Sequence, residues 1–392
     1  STGQNQWQDY NYLVYRCLEQ DDKCGGAADR LRPIPFVVLT AHELKRLLFY
    51  VWEKPAPLQE FLVPPLDGLD WTWPPHPDLQ TYTFESKISL DKSKVKRLFG
   101  IKDNNDYVPK TEYQWRNAPQ IATFRFQSTN HGRPEYNAMM FIDASNGTAV
   151  STRNDGQPSQ PSFNDVFGDV WNSVFTPSPP VQQRIDDTLS RHGLQRDAYH
   201  AIHVRSQYHK QLAVPKLEKV TQNAVNCLYD YLHNKAAAVN RIPLQRSTPV
   251  FVATDSLAAT RLVANYAQSR GLEHVVTLAN LTVNRTLDDE ESSSSAVLLH
   301  LDRGHSFVAQ NAKDFTSDQH EAHQYYDTFV DMYLLSQAKC IVFNVGNYGK
   351  WANMLSTDPS CEYSHMKDKN CHFPLNALIA EEETNGGDSS KT

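Results

Sequence analysis

The feature that most constrains the fold is the regular alternation of short apolar runs and amphipathic stretches in the second half of the chain. The predicted strands are 198–205, 249–254, 275–278 and 340–343. The predicted helices are 181–191, 217–234, 257–270, 320–337 and 348–355. Short buried strands that alternate with helices are typical of a parallel sheet covered on both faces. The sequence therefore predicts an α/β fold for this half of the chain.

A proline-rich segment, Thr176-Pro-Ser-Pro-Pro180, precedes this alternation and is predicted to be an interdomain linker. The length of 392 residues also favours two domains. We expect an N-terminal domain with long loops over 1–180, a C-terminal domain over 181–380 and a disordered tail over 381–392.

The N-terminal domain gives less regular signals than the C-terminal one. Four apolar residues at helical spacing predict a helix that begins at residue 41. They are Leu44, Leu47, Leu48 and Val51. Residues 121–126 and 139–142 alternate in polarity or are apolar, and both segments are predicted to be strands.

The net charge of the chain argues against one class of partner, the nucleic acids. Lys and Arg number 38 against 45 Asp and Glu, so the formal net charge is −7. Nucleic-acid-binding proteins usually carry a basic excess that neutralises phosphates, so a nucleic-acid partner is not expected. No apolar stretch of the sequence is long enough to cross a bilayer. Composition and charge therefore leave two classes of protein, an enzyme or a binding protein.

Six cysteines are compatible with a few structural disulfides. Cys17 is close in sequence to Cys24, and Cys361 is close to Cys371, so each pair could close a local loop. No CxxC motif is present, which argues against a structural zinc site.

Three N-x-S/T sequons, at Asn146, Asn280 and Asn284, slightly favour a glycosylated protein. The sequence begins at Ser1 without Met, and we expect that a leader or membrane anchor has been removed. Together with the cysteines, these signals favour the lumen of the secretory pathway, in the Golgi or the ER.

Candidate functional groups follow the predicted strands, because ligands of parallel α/β sheets bind at the carboxyl ends of strands. His203 and Arg205 share one face at the end of the first strand, and Asp255 follows the second. The guanidinium of Arg205 can hold a phosphate through two parallel hydrogen bonds, and the alternative is a structural ion pair. For Asp255, a ligand role and a helix-capping role are equally open.

A glycine-containing turn follows the last of these strands and opens a helix. Gly346 and Gly349 flank Asn347 and Tyr348, so backbone amides and the helix N-terminus can meet a phosphate here. The P-loop motif and the GxGxxG motif are both absent, so the signatures of P-loop kinases and dinucleotide-dependent oxidoreductases are missing.

Two further groups of residues are ambiguous. Asp327 and Asp331 lie one helical turn apart; each is either a surface carboxylate or a contact to a base or hydroxyl, and Asp331 is the better candidate for a contact. His200 and His203 point to opposite faces of one strand, so a metal site that they share, with or without His209, is not expected.

In their order along the chain, four motifs resemble those of the fucosyltransferase superfamily. This superfamily includes core α1,6-fucosyltransferases, bacterial nodulation fucosyltransferases and protein O-fucosyltransferases. The motifs are a Gly-Gly…Asp-Arg loop near the N-terminus, His203-Val-Arg205, Val252-Ala-Thr-Asp255 and Asp331-Met-Tyr-Leu-Leu-Ser-Gln337. The resemblance implies a GT-B fold, in which two Rossmann-like domains face a cleft. It also implies an inverting transferase that uses GDP-fucose and needs neither a metal nor another cofactor.

The resemblance also assigns roles to residues. Arg205 looks like the arginine that holds the β-phosphate as GDP departs. The resemblance does not identify the catalytic base, for which His209, Asp29 and Glu135 are equally possible candidates. The residues expected to bind the nucleotide sugar are Gly25, Gly26, Arg30, His203, Arg205, Asp255, Asp331, Gly346, Asn347 and Tyr348. A glycan or glycoprotein is the expected acceptor.

The chain departs from the family pattern at two places, and the departures keep alternatives open. The residues after Arg205 are Ser-Gln-Tyr-His-Lys where the family has a small residue or a second Arg and then an Asp. Gly346 and Asn347 replace a pair of small hydroxyl residues. The alternatives are a catalytically silent relative that binds glycans or acts as a scaffold, and a transferase that uses another nucleotide sugar.

Overall fold

The chain divides into two compact units, each with an α/β architecture. In a computed structural model, unit 1 comprises Ser1–Pro180 and His300–His323, and unit 2 comprises Val181–Leu299 and Gln324–Thr392. The structure describes residues 6–18, 24–84, 89–90, 120–124, 163–206, 214–230, 247–278, 321–344, 346–359, 361–364 and 371. The predicted strand 139–142, the three sequons and the tail 381–392 lie outside these residues.

The strands of unit 1 are β1 (Tyr12–Cys17), β2 (Leu47–Trp52), β3 (Leu62–Val63), β4 (Ser89–Leu90), β5 (Ile121–Phe124) and β6 (Thr176–Pro177). Unit 1 is built on a parallel sheet with the strand order β2-β1-β5-β4. Its helices are α1 (Ala27–Leu31), α2 (Ile34–Glu43) and α3 (Phe163–Val174). Strands β3 and β6 form a separate antiparallel pair, and α3 packs against α2.

The helix predicted from residue 41 is wrong, because the chain leaves the helical conformation after Glu43. Helix α2 ends at Glu43, and Lys45 takes the left-handed conformation with φ 51°. Residues 47–52 then form β2, which pairs in parallel with β1. The run Leu-Leu-Phe-Tyr-Val-Trp is apolar without interruption, so it matches helical spacing by chance while suiting a buried strand.

The strands of unit 2 are β7 (His200–Val204), β8 (Val250–Thr254), β9 (Val275–Val276), β10 (Cys340–Phe343) and β11 (Glu362–Ser364). Unit 2 has a five-stranded parallel sheet with the order β11-β10-β7-β8-β9. Its helices are α4 (Pro179–His192), α5 (Val214–Asp230), α6 (Leu257–Ser269), α7 (Tyr326–Ser336) and α8 (Asn347–Met354). The α/β class with parallel sheets is confirmed.

Helices cover both faces of the unit 2 sheet. Ile202 and Val204 of β7 belong to a core cluster that includes side chains of α5 and α6. Helix α7 contacts β7 and β8, and α8 contacts β10. Every residue of β7, β8 and β10 is buried. Burial on both faces explains why these strands are nearly continuous apolar runs.

All six cysteines form disulfides. Cys17 pairs with Cys24, as the short spacing allows, but Cys361 and Cys371 do not pair with each other. Cys361 pairs with Cys340, since β11 runs parallel to β10 and brings their Cα atoms to 4.8 Å. Cys371 pairs with Cys227 on α5. The local Cys361–Cys371 loop considered from sequence is therefore corrected by strand pairing that sequence spacing does not reveal.

Replacing Cys227 and Cys371 together by Ala removes a bridge between residues 144 positions apart. A bond that closes so long a loop restrains the unfolded chain, so we expect the free energy of unfolding to fall by about 2–4 kcal/mol. Urea denaturation of the two proteins measures the change. The matched control replaces Cys17 and Cys24, only 7 positions apart, and should lose less. An equal or larger loss in the control would contradict the expectation.

Candidate functional site

The ends of three neighbouring strands in unit 2 meet at one edge of the sheet. Val204 is in register with Thr254, and His203 is in register with Phe343. Because the strands are parallel, the residues that follow them leave the sheet together. Arg205, Asp255 and Asn344 therefore lie at the carboxyl edge, where parallel α/β sheets bind their ligands.

The Arg205 side chain lies along a turn that only glycine adopts readily. Gly346 has φ +107° and immediately precedes α8. A Cβ at position 346 would lie 3.2 Å from Arg205 Cδ and 3.6 Å from its Nη1. The guanidinium and the positive end of the α8 dipole are thus adjacent, which favours an anion at this edge.

The side chain of Asn344 holds the backbone of Arg205 from the β10 side. The Arg205 N–H donates to Asn344 Oδ1 at 2.8 Å, and Asn344 Nδ2 donates to the Arg205 carbonyl at 3.0 Å. Asn344 is not among the residues predicted to bind the nucleotide sugar. Its position directly after a buried strand is the one sequence signal that could have identified it.

Asp255 holds the next residue from the β8 side. Its Oδ1 accepts hydrogen bonds from the Ser206 N–H at 2.7 Å and from the Ser206 hydroxyl at 2.6 Å. Helix α6 is capped by Ser256, whose side chain accepts from the Ala259 N–H. The capping alternative for Asp255 is therefore corrected: the neighbouring serine performs that task, and Ser206 is a second site residue that the sequence did not single out.

His203 and Tyr348 bring α8 close to β7. Their ring centroids are 5.1 Å apart, and the Tyr348 hydroxyl donates to the Thr328 carbonyl on α7. A Cβ at Gly349 would lie 2.5 Å from Phe343 Cβ and 3.2 Å from His203 Nδ1, so the helix needs glycine at this contact. His203, Tyr348 and Asn347 thus all lie near the Gly346 turn.

Asp327 and Asp331 occupy very different surroundings although they are one turn apart. Asp327 Oδ1 accepts a hydrogen bond from Arg184 at 2.7 Å and forms an ion pair with it. Asp331 is 1% exposed, and burial followed by the charge of Asp327 raises its pKa well above the usual value. Burial and then Asp331 likewise raise the pKa of Tyr348. Asp331 is a buried neighbour of Tyr348, and its contact with guanosine stays a prediction.

His200 lies at the opposite end of β7 from Arg205. Burial, followed by the charge of Lys339, lowers its pKa to about 4, so the imidazole is neutral near pH 7. Its position on β7 differs from that of His203 by three residues, which places the two rings on different faces. In the described ranges, no group of three His, Cys, Asp or Glu side chains could hold a metal ion.

The four predicted residues of the N-terminal loop lie together in unit 1. Gly25 has φ +79°, and the Gly26 N–H donates to Asp29 Oδ2 at 3.3 Å, at the start of α1. Arg30 is buried and donates from Nε to the Gly25 carbonyl at 2.7 Å and from Nη1 to the Lys54 carbonyl at 2.6 Å. Its guanidinium also lies over the Trp52 ring. These contacts give Arg30 and Asp29 structural tasks; their roles at a donor site stay predictions.

Two candidate bases, His209 and Glu135, lie outside the described residues. The described residues that the structure brings together are His203, Arg205, Ser206, Asp255, Asn344, Gly346, Asn347 and Tyr348. All of them belong to unit 2.

No protein-family model and no curated protein matches the chain. Solved structures with a similar fold include fucosyltransferases. A point mutant of Arabidopsis thaliana FUT1 in complex with GDP aligns with a TM-score of 0.49 and 13% identity, over 91% of this chain and 70% of that one. Fucosyltransferase NodZ from Bradyrhizobium aligns with a TM-score of 0.43 and 13% identity, over 93% and 97%. The NodZ α-1,6-fucosyltransferase soaked with GDP-fucose aligns with a TM-score of 0.40 and 13% identity, over 88% of this chain and 93% of that one. At these identities the likeness concerns the fold alone.

Asp331→Asn tests the buried carboxyl. In wild type the pKa of Asp331 is higher in the folded protein than in the unfolded chain. The folded protein therefore holds a proton that the unfolded chain releases. For this reason the stability contributed by Asp331 falls as pH rises above about 4. The variant lacks this group. We expect the free energy of unfolding of the variant minus that of wild type to increase as pH rises above about 4, at up to about 1.4 kcal/mol per pH unit. Urea denaturation across this range measures the difference, and a constant difference would contradict the assignment.

Proposed function

We propose that the chain is an inverting, metal-independent glycosyltransferase that moves fucose from GDP-fucose to a glycan or glycoprotein acceptor. The observation that supports this most directly is the Arg205 side chain lying along the Gly346 turn at the carboxyl edge of the sheet. A fixed guanidinium beside a helix N-terminus suits the pyrophosphate of a nucleotide sugar. The motif resemblance supplies the identity of the nucleotide and the sugar.

The proposed reaction breaks the bond between fucose C1 and the β-phosphate oxygen while an acceptor hydroxyl attacks C1 from the opposite face. The electron pair of the broken bond stays on GDP, and Arg205 stabilises the added charge from a position fixed in advance. The hydroxyl proton passes to a base. His209, Asp29 and Glu135 are the candidates for that base; Asp29 is the one within the described residues.

A second candidate function is nucleotide or glycan binding without transfer. It is favoured by the two hydrogen bonds from Ser206 to Asp255, which occupy a carboxylate oxygen that the resemblance assigns to the donor site. The two candidates differ in turnover: a transferase releases GDP from GDP-fucose when an acceptor is present, and a binding protein does not.

We place the protein in the lumen of the secretory pathway. Three disulfides support this location, because such bonds persist in oxidising compartments. In the part of the chain that the structure describes, no helix combines the length and the apolarity needed to span a bilayer.

Arg205→Ala tests the anion site. Loss of charge-assisted hydrogen bonds to the pyrophosphate should weaken GDP binding by about 10- to 100-fold. Isothermal titration calorimetry measures the dissociation constant. The matched control is Arg270→Ala, which removes an arginine stacked on Tyr229 at the far end of α6 and should leave GDP affinity unchanged. Wild type without GDP affinity, or equal affinity in the Arg205 variant, would overturn the proposed function.

The donor and the metal requirement are tested by measuring nucleotide release with a panel of nucleotide sugars in the presence and absence of EDTA. We expect release from GDP-fucose that EDTA does not abolish, because Arg205 supplies the charge that a metal provides in other transferases. Preference for a uridine donor would refute the guanosine assignment. Loss of activity in EDTA that Mn²⁺ restores would refute the metal-independent mechanism.

A further inference from the structure

Arg205 lies one residue beyond the last residue of β7, where regular pairing with the neighbouring strands has ended. At such a point the backbone N–H and carbonyl need other partners. Asn344 provides both, since its side-chain amide accepts from the Arg205 N–H and donates to the Arg205 carbonyl. The amide group thus acts as one further residue of a neighbouring strand would, and extends the pairing of β7 with β10 by one position.

The backbone is also held from the other side. Ser206 is bonded through both its N–H and its hydroxyl to Asp255, at the end of β8. Asn344 is 5% exposed and Ser206 is 8% exposed, so these bonds are shielded from competing water. The two-residue segment 205–206 is therefore fixed by side chains from both flanking strands.

A fixed backbone determines where the Arg205 side chain begins. From that point the side chain extends along Gly346, so closely that a Cβ at position 346 would lie 3.2 Å from Arg205 Cδ and 3.6 Å from Nη1. A cation stabilises developing charge best when its position is set before the reaction, because no reorganisation is then needed. Groups that hold such a cation affect ligand affinity without touching the ligand.

We propose that Asn344 is a positioning residue that fixes Arg205 for anion binding. This inference rests on the proposed function in so far as the anion is the pyrophosphate of GDP. Asn344 acts through Arg205, so its contribution to affinity should depend on the arginine being present. A merely structural asparagine would contribute to stability in the same way whether Arg205 is present or not.

The first experiment compares Asn344→Ala with Asn353→Ala. Asn353 is a matched control: it is also a buried asparagine, and its Nδ2 donates to the Pro359 carbonyl at 2.9 Å and to Glu362 at 2.7 Å, away from the strand ends of the site. By calorimetry, we expect Asn344→Ala to weaken GDP binding by about tenfold and Asn353→Ala to leave it unchanged. Equal affinities in the two variants would overturn the inference.

The second experiment is a double-mutant cycle. In an Arg205→Ala background, Asn344→Ala should cause no further loss of GDP affinity, because the group that it positions is gone. A second loss of the same size in that background would show that Asn344 does not act through Arg205. Asn344→Leu, of similar volume and without charge, removes the acceptor and the donor, and it gives the same cycle if the alanine variant does not fold.

A third measurement does not depend on the nucleotide. Hydrogen exchange of the Arg205 amide, resolved by overlapping peptides, should become at least about tenfold faster in Asn344→Ala and stay unchanged in Asn353→Ala, since only the former loses the acceptor. If wild type binds no GDP, the proposed function fails, but this measurement still tests whether the Asn344 side chain holds the Arg205 backbone. Unchanged exchange would overturn the inference even if GDP binds.

Discussion

The parallel pairing of β7 with β8 on one side and β10 on the other is the interaction on which the rest of unit 2 depends. Its register ends all three strands at nearly the same level. The polar residues that follow can then bond to one another across the edge, as Asn344 does with Arg205 and Asp255 does with Ser206. A shift of register by one residue would move His203 and Arg205 to the other face and dissolve this arrangement.

Much of unit 2 could be predicted because its strands are buried on both faces and therefore appear as apolar runs. The same rule explains the failure at residues 47–52, where an uninterrupted apolar run satisfies helical spacing as well as strand formation. Parity along β7 predicts that His203 and Arg205 share one side, and in the structure His203 lies beside Tyr348 while Arg205 lies beside Gly346. Periodicity is a local property, and it is reliable for local features of this kind.

The contacts between distant parts of the chain could not be predicted in this way. Asn344 and Arg205 are 139 positions apart, and only the sheet brings them together. The pairing of Cys361 with Cys340 likewise depends on the position of β11 beside β10. Asp327 and Asp331 share a helix and a residue type, yet Asp327 forms an ion pair with an arginine on α4, whereas burial raises the pKa of Asp331. Environment, which spacing does not encode, decides the chemistry of each carboxyl.

The bond between Cys227 and Cys371 has a consequence for the covalent structure of the protein. The polypeptide between these cysteines and the disulfide itself form a closed ring that contains β8, β9, β10 and β11 with the helices α6, α7 and α8. Hydrolysis of any one peptide bond within this ring leaves the two new chain ends joined through a disulfide. A single proteolytic cut there leaves every residue in one covalent molecule until a reductant cleaves the disulfide.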